Sequence, residues 1–212
     1  MDSGIKAIIF DLDGVLVDGE GWHEEAFTRA MCDYGYEVSP DVYRKGFSTV
    51  DRIEKLSKVG RAPGKPNLRR MLAKLKQKYT KEIIWSRCKP IDRVIEAVDF
   101  ANTYTGGKIA VATNSSRGPA IEMLTSAGLL PFFDIVITSA DTNGKLKPHP
   151  APYLQASYKL GVFSKECLAI DNSAIGIMSA VNAMCRPLRI KSFDKLNVDL
   201  IELQLKSLEI RI

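Results

Sequence analysis

Two aspartates one residue apart, Asp11 and Asp13, follow an apolar run at positions 5–10 that only Lys6 interrupts. A short run of this kind predicts a buried strand. In an open α/β sheet, ligands gather beyond the carboxyl ends of the strands, which is where these two acids stand. Carboxylates so close cannot both ionise cheaply: a cation joins them, or one keeps a proton. Their oxygens suit a hard cation such as Mg²⁺. A carboxylate beside such an ion can also act as a nucleophile towards phosphorus. Gly14 lets the chain turn back directly after Asp13. Taken alone, Asp-Gly is also an ordinary polar turn, and the rest of the chain decides between the readings.

Three more stretches carry reactive groups at comparable places. The apolar run 108–112 ends in Thr113-Asn114-Ser115-Ser116, a hydroxyl and free amides ahead of a helix. That is either a phosphate cradle or a plain N-cap. Lys147 stands in Leu146-Lys147-Pro148-His149-Pro150, a cation held in a stiff proline-bearing turn. The run 167–170 ends in Asp171-Asn172-Ser173, with Ser173 placed to cap the next helix and Gly176 allowing that helix to pack closely. His23 lies near the first acids in sequence, on a predicted helix; a lone histidine there is more often structural than part of a site. A parallel, doubly wound sheet brings the strand-end groups to one edge. Acids for a metal, a hydroxyl, a lysine and a carboxylate–carboxamide pair then make a phosphoryl-transfer site.

The elements that must position these groups alternate strand and helix. Beyond the strands named above, helices are predicted over 90–104, with Ile91, Val94, Ile95 and Val98 facing the core, from Pro119 to Gly128, and over 151–160. Positions 132–138 and 187–190 read as further core strands, 198–205 as a helix, and the last five residues as an alternating edge strand. Between 20 and 88 nothing reads as a strand. Trp22, Ala26, Phe27, Ala30 and Met31 recur at helical spacing, Ser39-Pro40 starts another helix, and Ser48 or Thr49 caps one bearing Ile53 and Leu56. After a Gly/Pro break at 60–66, Asn67 caps a helix with Leu68, Met71, Leu72, Leu75 and Tyr79 on one side and Arg69, Arg70, Lys74, Lys76 and Lys78 mostly on the other. The expected architecture is an α/β doubly wound parallel sheet over 1–17 and 89–212, with an all-helical domain inserted at 18–88.

Bulk composition is compatible with this. A chain of 212 residues, 45% hydrophobic and 26% charged, allows one sizeable soluble core, or a core with a smaller inserted domain. No apolar run approaches the ~20 residues of a membrane span. The start of the chain leads straight into the first strand, so a signal peptide is not expected. The four cysteines are far apart without a Cys-x-x-Cys pair, so reduced thiols in a cytoplasmic protein are expected and a zinc site is not. Positions 41–89 hold 15 Lys and Arg against 4 Asp and Glu, a balance of +11 in a chain of net charge +5. A basic segment joined to an acidic remainder suggests that the basic part meets an anion.

The motifs resemble those of the haloacid dehalogenase superfamily, in its branch of small phosphatases and β-phosphoglucomutase with a helical cap. The resemblance rests on the run from Asp11 to Asp18 with Glu20 and His23, on Ala112-Thr113-Asn114-Ser115, on Lys147-Pro148-His149-Pro150, and on Asp171-Asn172-Ser173 with Gly176. In the cap it rests more loosely on Lys45-Gly46 and Ser48-Thr49. It implies that Asp11 attacks phosphorus and forms an aspartyl-phosphate, and that Asp13 protonates the leaving oxygen and then activates water. It implies that Thr113 and Lys147 hold the phosphoryl oxygens, and that Asn114, His23 and Lys45 help bind the substrate. Asp11, the carbonyl of Asp13, and Asp171 or Asn172 would hold Mg²⁺. Relatives usually carry two acids in the last motif; here the second is Asn172, which predicts weaker metal binding or replacement by Asp171. Gly19 also stands where relatives carry a small hydroxyl residue.

The leading expectation is a Mg²⁺-dependent phosphatase acting on a small phosphorylated metabolite. A phosphomutase of the β-phosphoglucomutase kind ranks lower, because Thr49 stands where an arginine would grip a sugar phosphate. A weakened scaffold using its basic cap to bind nucleic acid or an acidic partner is the third reading, opposed by intact Asp11, Asp13, Thr113 and Lys147.

Overall fold

The computed structural model describes residues 4–19, 21–36 and 68–209. Five parallel strands form one sheet in the order β3-β2-β1-β4-β5. They are β1 (Ala7–Phe10), β2 (Ile109–Ala112), β3 (Ile135–Ile137), β4 (Cys167–Asp171) and β5 (Arg186–Arg189). β1 is central, pairing Ile8 with Ile109 on one side and with Leu168 on the other. Every residue of β1, β2 and β4 is buried. Unbroken apolar runs are what a parallel sheet covered on both faces requires.

Helices α1 (Trp22–Cys32) and α2 (Leu68–Arg87) belong to the segment between β1 and the rest of the sheet. They are followed by α3 (Asp92–Tyr104), α4 (Arg117–Ser126), α5 (Ala151–Lys159), α6 (Ala174–Asn182) and α7 (Val198–Glu209). Tyr153 and Ala156 of α5 and Ala180 of α6 pack on Ala7, Ile9, Ala110 and Ala169 of the sheet. Alanines on both surfaces bring those helices close to the strands. The opposite-face residues Ile8, Phe10, Val111 and Ile170 are equally inaccessible, and Phe10 meets Phe133 edge to face at 6.0 Å.

The chain forms two compact units, Met1–Asp18 with Cys88–Ile212, and Gly19–Arg87. In the second, Phe27, Ala30 and Met31 of α1 pack on Leu72 of α2, with Leu75 and Tyr79 at the margin. Arg87 clamps Glu25 with two hydrogen bonds, of 2.6 and 3.1 Å. The helices expected after Ser39-Pro40 and after Ser48-Thr49 lie outside the described residues. No described helix is long and apolar enough to cross a membrane.

Several local expectations are corrected. Phe132 lies in a short 3-10 turn, and β3 begins only at Ile135. Met71 and Ile91 are exposed, because α2 uses Leu72, Ile83 and Ile84 for its buried side and Ile91 precedes the first turn of α3. β5 is an edge strand with only Leu188 buried, which is why it tolerates Pro187. α7 runs on to Glu209, so Leu208 and Glu209 are helical and not part of an edge strand. All four cysteines are free; Cys88, Cys167 and Cys185 are buried and Cys32 is exposed.

Candidate active site

The carboxyl edge of the sheet gathers the reactive groups of the α/β unit. Asp11 directly follows β1, its N–H donating to Ile170 of β4 at 2.9 Å. The next residues fold back on themselves: Val17 accepts from Gly14 N–H at 2.7 Å, and Leu12 accepts from Leu16 and Val17 at 3.0 Å each. Gly14 takes φ +81°, and a Cβ there would lie 2.2 Å from Nδ2 of Asn172. Any other residue would be strained in backbone and would displace Asn172. This loop presents Asp13, whose Oδ2 accepts from the Ser115 hydroxyl at 2.9 Å.

Thr113 follows β2 and is buried; its hydroxyl oxygen accepts from Ser115 N–H at 3.0 Å. The Asn114 side chain grips the main chain of Lys147 at both ends, accepting from its N–H at 2.8 Å and donating to its carbonyl at 3.4 Å. Through these bonds the Asn114 amide fixes the loop that carries Lys147. That loop is closed by His149 N–H on Leu146 at 2.8 Å and tied to α6 by Ser179, which donates to the His149 carbonyl at 2.7 Å. The Lys147–Pro148 peptide is cis.

Lys147 is buried, and its ammonium donates to Oδ1 of Asp11 and to Oδ2 of Asp171, each at 2.7 Å. Asp171 is fully buried and saturated. Oδ1 accepts from Ser173 N–H at 2.9 Å and its hydroxyl at 2.8 Å, while Oδ2 also accepts from the Tyr153 hydroxyl at 2.7 Å. The Tyr153 ring lies under the lysine, 4.8 Å from Nζ. A Cβ on Gly176 would fall 1.8 Å from Oδ2 of Asp171, so glycine at the start of α6 makes room for the carboxylate. Ser173 caps that helix, accepting from Gly176 N–H at 3.0 Å.

These surroundings separate the acids. Burial alone would raise Asp171, but the charge of Lys147 and hydrogen bonds from Lys147, Tyr153 and Ser173 outweigh it and hold the group below its usual range. Asp11 has fewer compensating donors. Burial and the neighbouring Asp171 push it up to about 7 despite Lys147. Burial opposes the charge on Lys147, yet the two carboxylates together keep its ammonium above the ordinary value. Asp11 is therefore the anion most in need of a further cation.

The ligand set Asp11, Asp13, Asp171 and Asn172 does not converge as a cage of acids: no such cluster forms among the described residues. Lys147 fills the space between Asp11 and Asp171, and all four strong bonds of Asp171 are taken. What remains suits a hard cation: the Asp11 carboxylate, the Asp13–Gly14 backbone and the Asn172 amide packed against it offer oxygen donors with one formal charge.

His23 lies in the helical unit, where Nδ1 is 3.4 Å from the ammonium of Lys76. Lys45 is outside the described residues. Sequence reasoning missed Tyr153 and the part Ser115 plays towards Asp13. The signal for Tyr153 was a hydroxyl on the apolar stripe of α5, since a buried tyrosine needs a partner for its O–H.

The haloacid dehalogenase-like hydrolase family model matches residues 8–190, and the chain belongs to that family. It is 29% identical over 184 residues to protein CbbY of Rhodobacter capsulatus, covering 83% of this chain and 81% of that protein. It is 26% identical over 176 residues to fructose-1-phosphate phosphatase YqaB of Escherichia coli, covering 82% and 89%. The fold matches a crystal structure of β-phosphoglucomutase from Clostridium difficile with TM-score 0.75 and 21% identity, over 97% of this chain and 99% of that one.

Proposed function

We propose that the chain is a Mg²⁺-dependent phosphatase that hydrolyses a small phosphorylated sugar or sugar-like metabolite through an aspartyl-phosphate on Asp11. The observation that carries this reading is the buried Asp11–Lys147–Asp171 array with Asp13 on the adjoining loop. Relatives named fructose-1-phosphate phosphatase, phosphorylated carbohydrates phosphatase and 6-phosphogluconate phosphatase support the substrate class.

A carboxylate oxygen of Asp11 bonds to phosphorus while the ester oxygen leaves with a proton from Asp13. Water then attacks the acyl phosphate, Asp13 takes its proton, and inorganic phosphate leaves with Asp11 restored. Ser115 orients Asp13 for both transfers, which as general acid–base catalysis are worth ~10²–10⁴ in rate. Lys147 and Thr113 hold phosphoryl oxygens, and Asp171 with Tyr153 keeps the lysine charged and in place. Asp11, the Asp13 carbonyl and Asn172 would hold a Mg²⁺ ion, which when bound would supply charge that offsets the crowded oxygens. Asp171 is assigned to Lys147 and not to the metal.

The test is hydrolysis of an aryl phosphate with Mg²⁺ titrated, on wild type and Asp11→Asn. Metal-dependent turnover that disappears in the variant is expected. Equal turnover in both proteins would remove Asp11 as nucleophile.

A further inference from the structure

Arg189 ends the edge strand level with Asp171, its register partner in β4. Ile190 N–H still donates to the Asp171 carbonyl at 3.0 Å, so β5 stays paired to the last residue of β4. Arg189 therefore leaves the sheet at its carboxyl edge, the edge that carries Asp11, Thr113 and Asp171. It is exposed. Its Nε donates to the main-chain oxygen of Asn172 at 3.3 Å. That bond draws the guanidinium away from the outer margin and towards the β4–α6 turn. Among the described residues no carboxylate pairs with it. A guanidinium fixed through Nε still presents its two terminal nitrogens as a fork that fits a carboxylate or phosphate.

We propose that Arg189 is a specificity-determining residue that binds a second anionic group on the substrate, distant from the phosphoryl group that faces Asp11. The inference rests on the phosphatase reading and narrows its substrate class to sugar phosphates with two anionic ends. β1 and β5 are two strand spacings apart, about 10 Å. Once the inward reach of the arginine is subtracted, a phosphorylated sugar acid or a sugar bisphosphate spans the remainder. A monophosphate leaves Arg189 in water.

The test uses matched substrates: glucose 6-phosphate against 6-phosphogluconate, and fructose 6-phosphate against fructose 1,6-bisphosphate. In wild type kcat/KM should favour the member with the second anion. Arg189→Gln should lower that ratio at least tenfold, mainly through KM, and Arg189→Lys should keep part of it. If one pair responds and the other does not, the second anion is identified as carboxylate or phosphate. A ratio unchanged in Arg189→Gln, or a wild type that prefers the monoanionic-end partner in both pairs, overturns the proposal. Calorimetric affinities of the same compounds for Asp11→Asn, with and without Arg189→Gln, read the ratio without turnover. Absent hydrolysis would then refute the phosphatase reading, while the affinity ratio still decides on Arg189.

Discussion

Replacing Lys147 by methionine should be among the most damaging single changes in the α/β unit. The side chain is 3% exposed and neutralises two buried carboxylates at 2.7 Å each. Removing one partner of a buried ion pair costs about 3–5 kcal/mol, because the remaining charge is left without compensation. Asp171 would still keep Tyr153 and two bonds from Ser173. The penalty therefore concentrates on Asp11, already up to about 7 with the lysine present, chiefly through burial. The double variant Lys147→Met with Asp11→Asn should consequently recover at least half of the loss. A pH dependence follows with a definite sign. A carboxyl raised in the folded state holds a proton there that the unfolded chain has released, so stability falls as pH rises from the unfolded value towards the folded one. Lys147→Met should thus be more stable near pH 5.5 than near pH 8, and Asp11→Asn should abolish that slope. Urea unfolding followed by circular dichroism, in the presence of a chelator, measures each quantity. A loss below about 1 kcal/mol for Lys147→Met, or no recovery in the double variant, would refute the assignment of the lysine as the charge that permits Asp11 and Asp171 to be buried together.

Gly176→Ala would bring a methyl to 1.8 Å from Oδ2 of Asp171, whose carboxylate four hydrogen bonds hold in place, so about 1–3 kcal/mol of overpacking strain is expected in thermal or urea unfolding. Gly118→Ala, also helical but with nothing within 4 Å of its added Cβ, should instead stabilise by about 0.5–1 kcal/mol; equal effects at the two glycines would refute the packing argument. Asn172→Asp adds a charge beside the Asp11–Gly14 loop. One unit charge against a divalent ion at roughly 4 Å is worth about 2 kcal/mol even at the dielectric of water, or roughly thirtyfold in affinity. Mn²⁺ binding followed by electron paramagnetic resonance should tighten accordingly, and unchanged binding would remove Asn172 from the cation's shell.

β1, β2 and β4 were readable from sequence because they are buried on both faces and each ends in a polar turn. The run at 5–10 and the one at 167–170 need no pairing information to be recognised. β5 was harder, since Arg186, Pro187 and Arg189 carry no strand pattern of their own, and its place depends on hydrogen bonds to β4. β3 was overextended because Phe132 and Phe133 are apolar enough to continue a strand, yet Pro131 turns the chain into 3-10 geometry first. Reactive groups at strand ends were visible as residue types. Their division of labour was not, because it depends on contacts across large sequence separations: Ser115 with Asp13, Asn114 with the Lys147 backbone, Tyr153 with Asp171.

Those contacts give three aspartates of one site three different tasks. Asp171 receives four hydrogen bonds, one of them from the ammonium it shares with Asp11, so it is the cheapest of the three to keep ionised and the least able to take on a new partner. Asp13 sits on a loop with a hydroxyl donor at one oxygen, a setting in which a proton can be exchanged without disturbing the core. Asp11 is buried nearly as deeply as Asp171 but shares its lysine, so its anion is the most poorly compensated. In the mechanism we propose, an Asp11 nucleophile in that state would gain twice from reacting. The bond to phosphorus would remove its negative charge, and the lysine it shares would be freed towards the phosphoryl oxygens that carry the charge instead.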